Sequence, residues 1–193
     1  MLKKAELPFT EEVIDLDVPG FKEKLLTLSD MGTVPVLRAN EEMIPDSLDI
    51  CEFAAQAVPN LWPKDPEAKV LCKAVVRKMH TGFQALRYEA PMNLRRRTSK
   101  PVPQACLDDA AEMVAMWDDL LQKHNGPYLF DSWTIADAFY TPAATRFASY
   151  DLPRTTRSDT YISELMSDPD YQDWEAEAFI ETHVLPETDS VNT

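Results

Sequence analysis

Residues 126–142 read GPYLFDSWTIADAFYTP and contain the clearest helix start in the chain. The side chain of Thr134 can accept a hydrogen bond from the backbone of Asp137, and the Asp137 carboxylate can accept one from the backbone of Thr134. This reciprocal pair, a capping box, predicts a helix that begins at Thr134. Gly126 and Pro127 stand ahead of it and predict the end of a preceding helix. The stretch therefore joins two helices.

The sequence around this stretch, from residue 67 onward, has the spacing of amphipathic helices. Glu67–Ala90 is predicted as one helix, with apolar side chains every three or four residues at Leu71, Val75, Met79, Phe83 and Leu86. The same helix would place polar side chains on a second face, at Lys73, Arg77, His80, Gln84 and Arg87. Further helices are predicted over Pro103–His124, from Thr134, over Arg154–Met166 and over Pro169–Thr182.

Residues 1–58 have a different texture, in which strand-like and helical segments alternate. The predicted order is strand, helix, strand, strand, helix. The segments are Glu12–Asp17, Phe21–Leu28, Val34–Ala39, a strand from Met43 after a turn at Asn40–Glu42, and Ser47–Val58. Pro59–Pro66 then holds three prolines. Because proline prevents helix continuation, this segment predicts a linker between an α+β half and a helical half.

The composition excludes several classes of protein. The chain has 193 residues with 33 acidic and 19 basic side chains, and its net charge of −14 repels nucleic acid and anionic membranes. It has four glycines and no glycine-rich phosphate-binding motif. No apolar run is long enough to cross a bilayer, and the N-terminus lacks the apolar core of a secretory signal. We therefore expect a cytoplasmic protein with neither a nucleic-acid nor a membrane partner.

The cysteines point to a structural role. Cys51, Cys72 and Cys106 are widely spaced among apolar residues, and no C-x-x-C pair occurs. An odd number of isolated cysteines favours buried thiols over a disulfide framework or a metal site. We expect no metal in this protein.

The charge is strongly segregated along the chain. Residues 66–103 carry 9 basic and 2 acidic side chains, although the chain as a whole is acidic. Such a segment could attract a small anion. It could equally form a solvated face or pair with acidic side chains elsewhere, and the sequence leaves both interpretations open.

Two short motifs in the first half carry chemical information. In Val34-Pro35, proline stands where a strand would supply a backbone donor, so an edge position or a cis peptide bond is expected. In Asp46-Ser47, serine is a natural N-cap, and the helix start offers unpaired N–H groups and partial positive charge to a carboxylate. Each motif alone is common. Their order, followed by a proline-rich linker and the capping box, is specific.

In this order the sequence resembles the glutathione S-transferase superfamily. The family pattern G-x-V-P-x-L stands here as Gly32–Leu37, and the acidic-Ser helix start stands as Asp46-Ser47. The C-terminal capping box stands as Thr134–Asp137, followed by Pro142. The resemblance covers nearly the whole chain. The stretch MHTGFQALRYEAPMNLRRR also resembles a bacterial subgroup, with some likeness to the maleylacetoacetate isomerase branch.

The resemblance implies a truncated thioredoxin-like, glutathione-binding domain over residues 1–60, a linker over 61–66 and an all-helical domain over 67–193, assembled as a homodimer. It also implies glutathione as co-substrate. The residues that would bind it are Val34, Pro35, Asp46 and Ser47. The backbone of Val34 would meet the cysteinyl backbone of glutathione. Ser47 and its helix start would take the γ-glutamyl carboxylate, and Asp46 would face the amine.

A second substrate would lie between the domains, near the first helix of the helical half. The candidate residues there are His80, Arg87, Asn93 and Arg96. The basic segment around them favours an anionic electrophile.

The chain departs from the family at its beginning. Members start with a strand and a helix that carry the Ser, Tyr or Cys that activates the thiol, whereas this chain starts near the end of that helix, at KKAELPF. We therefore assign no catalytic residue, and Glu12–Asp17 would lack its neighbouring strand and expose an edge. Three explanations stand: a shortened form of a longer protein, a natural truncation that serves as a binding module, and a strand supplied by a partner.

The expected function is conjugation or processing of a small electrophile with glutathione, with the catalytic residue in the missing segment. Two alternatives stay open. One is a non-catalytic interaction module of the same fold, and the other is a glutathione-dependent isomerase of the maleylacetoacetate type.

Overall fold

The computed structural model describes residues 1–186 of the 193-residue chain. The chain divides into two compact units, an N-terminal unit over Met1–Leu61 and a second unit that begins at Trp62. Leu61 and Trp62, which the sequence places in or beside the proline-rich linker, are both buried. The α+β character of the first half and the all-helical character of the second are confirmed.

The N-terminal unit contains a short antiparallel hairpin between two helices. The elements are α1 (Phe21–Leu28), β1 (Leu37–Ala39), β2 (Glu42–Ile44) and α2 (Ser47–Ala57), followed by a 3₁₀ turn at Pro59–Leu61. The strands pair Leu37 with Ile44 and Ala39 with Glu42 across a turn at Asn40, whose φ of 57° suits asparagine. Within residues 1–186 this is a two-stranded sheet.

The strand predicted over Glu12–Asp17 is wrong. This segment has no regular secondary structure, and Val13 is 80% exposed. A strand requires a neighbour that completes its ladder of hydrogen bonds. In the described part of the chain β1 and β2 pair only with each other, so the alternating apolar pattern of this segment has no sheet to join.

The second unit consists of six helices in the part that the structure describes. They are α3 (Pro66–Thr81), α4 (Gln84–Glu89), α5 (Gln104–His124), α6 (Ile135–Ser149), α7 (Thr156–Ser167) and α8 (Pro169–Ile180). The single helix predicted over Glu67–Ala90 is therefore broken. Gly82 ends α3 and Phe83 takes a positive φ of 54°, so Gln84 and Arg87 do not continue the polar face of α3.

The core of the second unit is built around Trp117 on α5. Its ring lies 5.7 Å from that of Tyr140, 5.1 Å from that of Phe147 and 5.3 Å from that of Tyr161. Burial of large aromatic surfaces is a major favourable contribution to folding. This cluster brings together α5, α6 and α7.

The capping box predicted at Thr134 is confirmed. Thr134 is the N-cap of α6, and Asp137 Oδ2 accepts hydrogen bonds from its backbone N–H at 2.8 Å and its hydroxyl at 3.0 Å. The Asp137 carboxylate is fully buried and also accepts from the backbone N–H of Leu129 at 3.2 Å and the hydroxyl of Tyr161 at 3.0 Å. One carboxylate thus ties the start of α6 to the loop before it and to α7.

Candidate functional site

The first candidate feature is the peptide bond before Pro35. The Val34-Pro35 bond is cis, as the sequence allowed, and β1 begins two residues later at Leu37. The side chain of Val34 is 46% exposed. No hydrogen bond between residues 1–186 uses the backbone N–H or carbonyl of Val34. An extended stretch of ligand backbone could therefore pair with this residue.

The hairpin carries both sequence motifs at the same end. Its ladder ends at the pair Leu37–Ile44. If the same register is continued past that pair, Pro35 falls opposite Asp46, the residue that precedes Ser47. The short turn at Asn40 thus brings together two motifs that are separated in sequence by about ten residues.

The start of α2 differs in one detail from the expectation. Asp46, not Ser47, is the N-cap: its Oδ1 accepts from the backbone N–H of Leu48 at 2.7 Å and from that of Asp49 at 3.3 Å. Both residues can cap a helix, but only Asp46 has the extended backbone of an N-cap, with φ −129° and ψ 139°. Ser47 is the first residue of the helix.

Ser47 retains hydrogen-bonding capacity at this position. Neither its backbone N–H nor its hydroxyl makes a hydrogen bond to another residue within 1–186. The N–H groups of a first helical turn carry partial positive charge and favour an anion. This end of the hairpin therefore combines an unpaired backbone at Val34 with a helix start that can receive a carboxylate.

The cysteine of the N-terminal unit does not offer an alternative nucleophile. Cys51 lies on α2, is buried, and has its pKa raised to about 12 by loss of solvation. Since the reactive form of cysteine is the thiolate, this side chain is inert near neutral pH. The pKa values of Cys72 and Cys106 are also raised by burial, to about 12 and about 11. All three cysteines are free and buried, which confirms the expected burial of the thiols.

The four residues predicted for a second substrate fall into two pairs. Arg87 Nη1 donates to the carbonyl of His80 at 3.1 Å across the break between α3 and α4. Asn93 and Arg96 share one loop, where the backbone N–H of Arg96 donates to the carbonyl of Asn93 at 3.3 Å.

The loop that contains Asn93 is fastened to α6. Arg146 Nε donates to the carbonyl of Ala90 at 3.0 Å, Tyr150 Oη to that of Pro91 at 2.7 Å and Ser149 Oγ to that of Asn93 at 3.1 Å. Three side chains at the end of α6 thus hold three carbonyls of residues 90–93, and we call this arrangement the α6 brace.

Arg146 was not singled out in the sequence. The available signal was its setting, because Arg146 is the one basic residue in the largely apolar segment IADAFYTPAATRFAS. A charged side chain within a buried helix must find polar partners or a ligand.

Two arginines in the loop between α4 and α5, Arg95 and Arg97, donate hydrogen bonds to backbone carbonyls. Arg95 donates to the carbonyls of Glu181 and His183, at 2.8 and 3.2 Å, and so holds the segment after α8. Arg97 donates to the carbonyl of Leu94 at 3.0 Å. Of the nine basic side chains in residues 66–103, Arg87, Arg95 and Arg97 donate to backbone carbonyls. Lys78 pairs with Glu112 at 2.6 Å, as one of the two sequence interpretations allowed.

Two further observations bear on the site. Among residues 1–186, no group of three or more His, Cys, Asp or Glu side chains is arranged to hold a metal ion. In the same part of the chain no helix has the length and apolar character needed to cross a membrane.

Two family models match this chain, and both describe domains of the glutathione S-transferases. Residues 1–57 match the family model of the glutathione S-transferase N-terminal domain, and residues 88–177 match that of the glutathione S-transferase C-terminal domain. The first match includes Val34, Asp46 and Ser47. The second includes the α6 brace and the capping box.

Individual relatives are distant. A probable maleylacetoacetate isomerase from Caenorhabditis elegans is 27% identical over an alignment of 143 residues, and the match covers 70% of this chain and 67% of that protein. A glutathione transferase homologue from Burkholderia, solved with bound glutathione, superposes with a TM-score of 0.72 at 19% identity, covering 93% of this chain and 88% of that one. An epsilon-class glutathione S-transferase from the housefly Musca domestica gives 0.68 at 23% identity, covering 92% and 84%. At these identities the structural likeness shows the fold.

Proposed function

Because the chain belongs to the glutathione S-transferase superfamily, we propose that it binds glutathione at the hairpin end of its N-terminal unit and uses it to conjugate or process a small electrophile. The residues proposed to bind glutathione are Val34, Pro35, Asp46 and Ser47. The observation that carries the proposal is the unpaired backbone of Val34 beside a helix start where Ser47 is also unpaired.

Each residue has a proposed role that follows from its geometry. The backbone N–H and carbonyl of Val34, which make no hydrogen bond within residues 1–186, pair with the cysteinyl backbone of glutathione. The backbone N–H and hydroxyl of Ser47 take the γ-glutamyl carboxylate, with the dipole of α2 adding to the attraction. Asp46 provides negative charge for the γ-glutamyl amine while its Oδ1 caps α2.

The reaction proposed is attack of the glutathione thiolate on an electrophilic atom of a second substrate. A sulfur–carbon bond forms, and the electron pair passes to the leaving group or to the neighbouring acceptor atom. His80, Arg87, Asn93 and Arg96 are proposed as contacts for an anionic second substrate. Activation of the thiol is assigned to none of residues 1–186.

Calorimetric titration of the full chain with glutathione tests the binding step. The parent chain is expected to bind at one site per chain, and Ser47→Ala is expected to weaken binding by about tenfold through loss of a hydrogen bond to a charged group. Ser99→Ala is the matched control, since Ser99 is exposed and belongs to the second unit. Absence of binding to the parent chain, or equal affinity of Ser47→Ala, would refute the proposed site.

A second candidate function is favoured by the likeness to the probable maleylacetoacetate isomerase. In that case the thiol would add reversibly to a small diacid, permit rotation about the former double bond and leave again, so glutathione would not be consumed. Arg87→Ala and Arg96→Ala should then reduce turnover far more than they reduce glutathione affinity. Parallel assays with maleylacetoacetate and with 1-chloro-2,4-dinitrobenzene separate isomerisation from conjugation.

A chain that binds glutathione but catalyses neither reaction would instead be a non-catalytic interaction module of the same fold. We further propose a homodimer in the cytoplasm. Free cysteines at positions 51, 72 and 106 support a reducing compartment. Light scattering coupled to gel filtration tests the dimer, and a monomeric mass would rule it out.

A further inference from the structure

The second unit holds a cationic group, Arg146, that neither the family matches nor the proposed reaction assigns. It extends the proposed function, in which Arg87 is already a contact for an anionic second substrate. Arg146 lies on α6 and is half-buried, with Nε bound to the carbonyl of Ala90 at 3.0 Å and Nη1 to that of Pro142 at 2.8 Å. A guanidinium has five N–H donors. These two bonds leave the other donors of Arg146 without a partner among residues 1–186.

No carboxylate compensates this charge in the part of the chain that the structure describes. None of its ion pairs includes Arg146. Asp109, which lies against α4, has its Oδ2 committed to the backbone N–H of Leu86 at 2.9 Å. A cation removed from water without a counter-ion is costly unless an anion is supplied from outside.

A second cation stands beside it. Arg146 reaches the carbonyl of Ala90 at the end of α4, and Arg87 lies three residues before Ala90, on the same side of that helix. Burial, followed by the positive charge of Arg87, lowers the pKa of Arg146 to about 10, so Arg146 remains charged at neutral pH. Arg87 is exposed, which leaves the pair accessible to a solute.

We propose that Arg146 and Arg87 form a binding site for a small dianion, one that presents phosphate or carboxylate oxygens to two guanidinium groups. The planar fork of arginine matches both oxygen geometries, and two such groups match two negative charges. Arg146 is held in place by two carbonyls before a ligand arrives, and Arg87 is held by the carbonyl of His80 at 3.1 Å on the solvent side. The site uses residues of the second unit only and does not depend on glutathione binding.

Inorganic phosphate and malonate are suitable probes of this site. Each is titrated calorimetrically into the full chain at constant ionic strength and without glutathione. Saturable binding of at least one probe is expected. Binding of phosphate alone indicates a phosphate-bearing ligand, binding of malonate alone indicates a dicarboxylate, and binding of both indicates a site for any compact dianion.

Three variants locate the binding. Arg87→Ala is expected to weaken it by about tenfold, and Arg146→Lys, which keeps the charge but loses the fork, by a similar factor. Arg77→Ala removes the same charge from an exposed arginine on α3 and should leave the affinity unchanged. If Arg146→Lys fails to fold, comparing the phosphate or malonate affinities of Arg87→Ala and Arg77→Ala still tests whether the probe binds at this site.

The proposal is overturned if the parent chain binds neither probe, or if Arg77→Ala weakens binding as much as Arg87→Ala does. Ser47→Ala should retain phosphate or malonate binding, so a failure at the glutathione site and a failure here are distinguishable.

Discussion

The hydroxyl of Tyr161, on α7, donates a hydrogen bond of 3.0 Å to Oδ1 of Asp137, near the start of α6. Both side chains are almost completely buried. The same carboxylate caps the start of α6 by accepting from the backbone N–H of Thr134, and it also accepts from the backbone N–H of Leu129. The bond from Tyr161 thus links this helix cap to α7. A residue that begins one helix therefore also fixes the position of the next.

We predict that Tyr161→Phe lowers the free energy of unfolding by about 1–3 kcal/mol, since it removes a donor from a buried charged acceptor. Urea unfolding followed by circular dichroism measures the effect. Tyr88→Phe is the control, because Tyr88 is 77% exposed and should lose almost nothing. Equal stability of Tyr161→Phe and the parent chain would show that the bond contributes nothing net.

The pH dependence of stability should carry a signature of Asp137. Burial raises the pKa of this carboxyl from about 4 to about 6, although the hydrogen bonds donated by Thr134, Leu129 and Tyr161 oppose the shift. The folded state then binds more protons than the unfolded state between these two pH values, so the contribution of this group to stability falls as the pH rises through that window.

The parent chain should accordingly lose stability relative to Asp137→Asn between about pH 4 and pH 6, and the difference should level off above that range. Urea unfolding of both chains across the range measures it. If the parent chain instead gained stability relative to Asp137→Asn as the pH rises, the donated hydrogen bonds, and not burial, would dominate the pKa of Asp137.

Substitutions of Asp46 and Ser47, at the start of α2, should differ in their effects on stability and on glutathione affinity. Asp46→Ala is expected to lower the free energy of unfolding by about 1 kcal/mol because it removes an N-cap, and to weaken glutathione binding as well. Ser47→Ala should weaken glutathione binding with little loss of stability. Unfolding and calorimetric titration of both variants test the separation.

Asp65→Ala is a matched control for Asp46→Ala. Asp65 caps α3 by accepting from the backbone N–H of Ala68 at 2.8 Å, as Asp46 caps α2. It should cost similar stability and leave glutathione affinity intact. A loss of affinity in Asp65→Ala would mean that the effect of Asp46→Ala is only general destabilisation.

The three cysteines should react slowly in the folded protein. Burial raises their pKa values to about 12, 12 and 11 for Cys51, Cys72 and Cys106 respectively, so the thiolate is scarce at neutral pH. A chromogenic disulfide reagent should label none of them quickly in buffer and all three in denaturant. Rapid labelling of one cysteine in the folded chain would contradict its burial.

Much of the fold follows from local patterns. α1 has the predicted bounds Phe21–Leu28, and the capping box at Thr134 starts α6 as expected. These elements are determined within a few residues, so the sequence around them is sufficient. The break between α3 and α4 could not be found in this way, because the apolar residues Met79, Phe83 and Leu86 continue the helical spacing through it.

The features that the sequence did not reveal depend on partners elsewhere in the chain. Glu12–Asp17 has the alternation of a strand but no strand to pair with in the described structure. The choice between Asp46 and Ser47 as N-cap is made by backbone angles that both residues could adopt. The hydrogen bond from Arg146 to the carbonyl of Ala90, three residues after Arg87, joins segments far apart in the chain, and no local pattern marks it.

The core of the N-terminal unit is made largely of small side chains. Its buried apolar residues are Ala5, Leu25, Ile44, Cys51, Ala54, Ala55 and Leu61. A region that buries so little apolar surface has a low free energy of local unfolding. We expect that free energy to be lower than the one for the aromatic core around Trp117. A ligand bound at the hairpin end of the N-terminal unit should therefore slow amide hydrogen exchange in residues 1–61. The melting temperature of the second unit should not change.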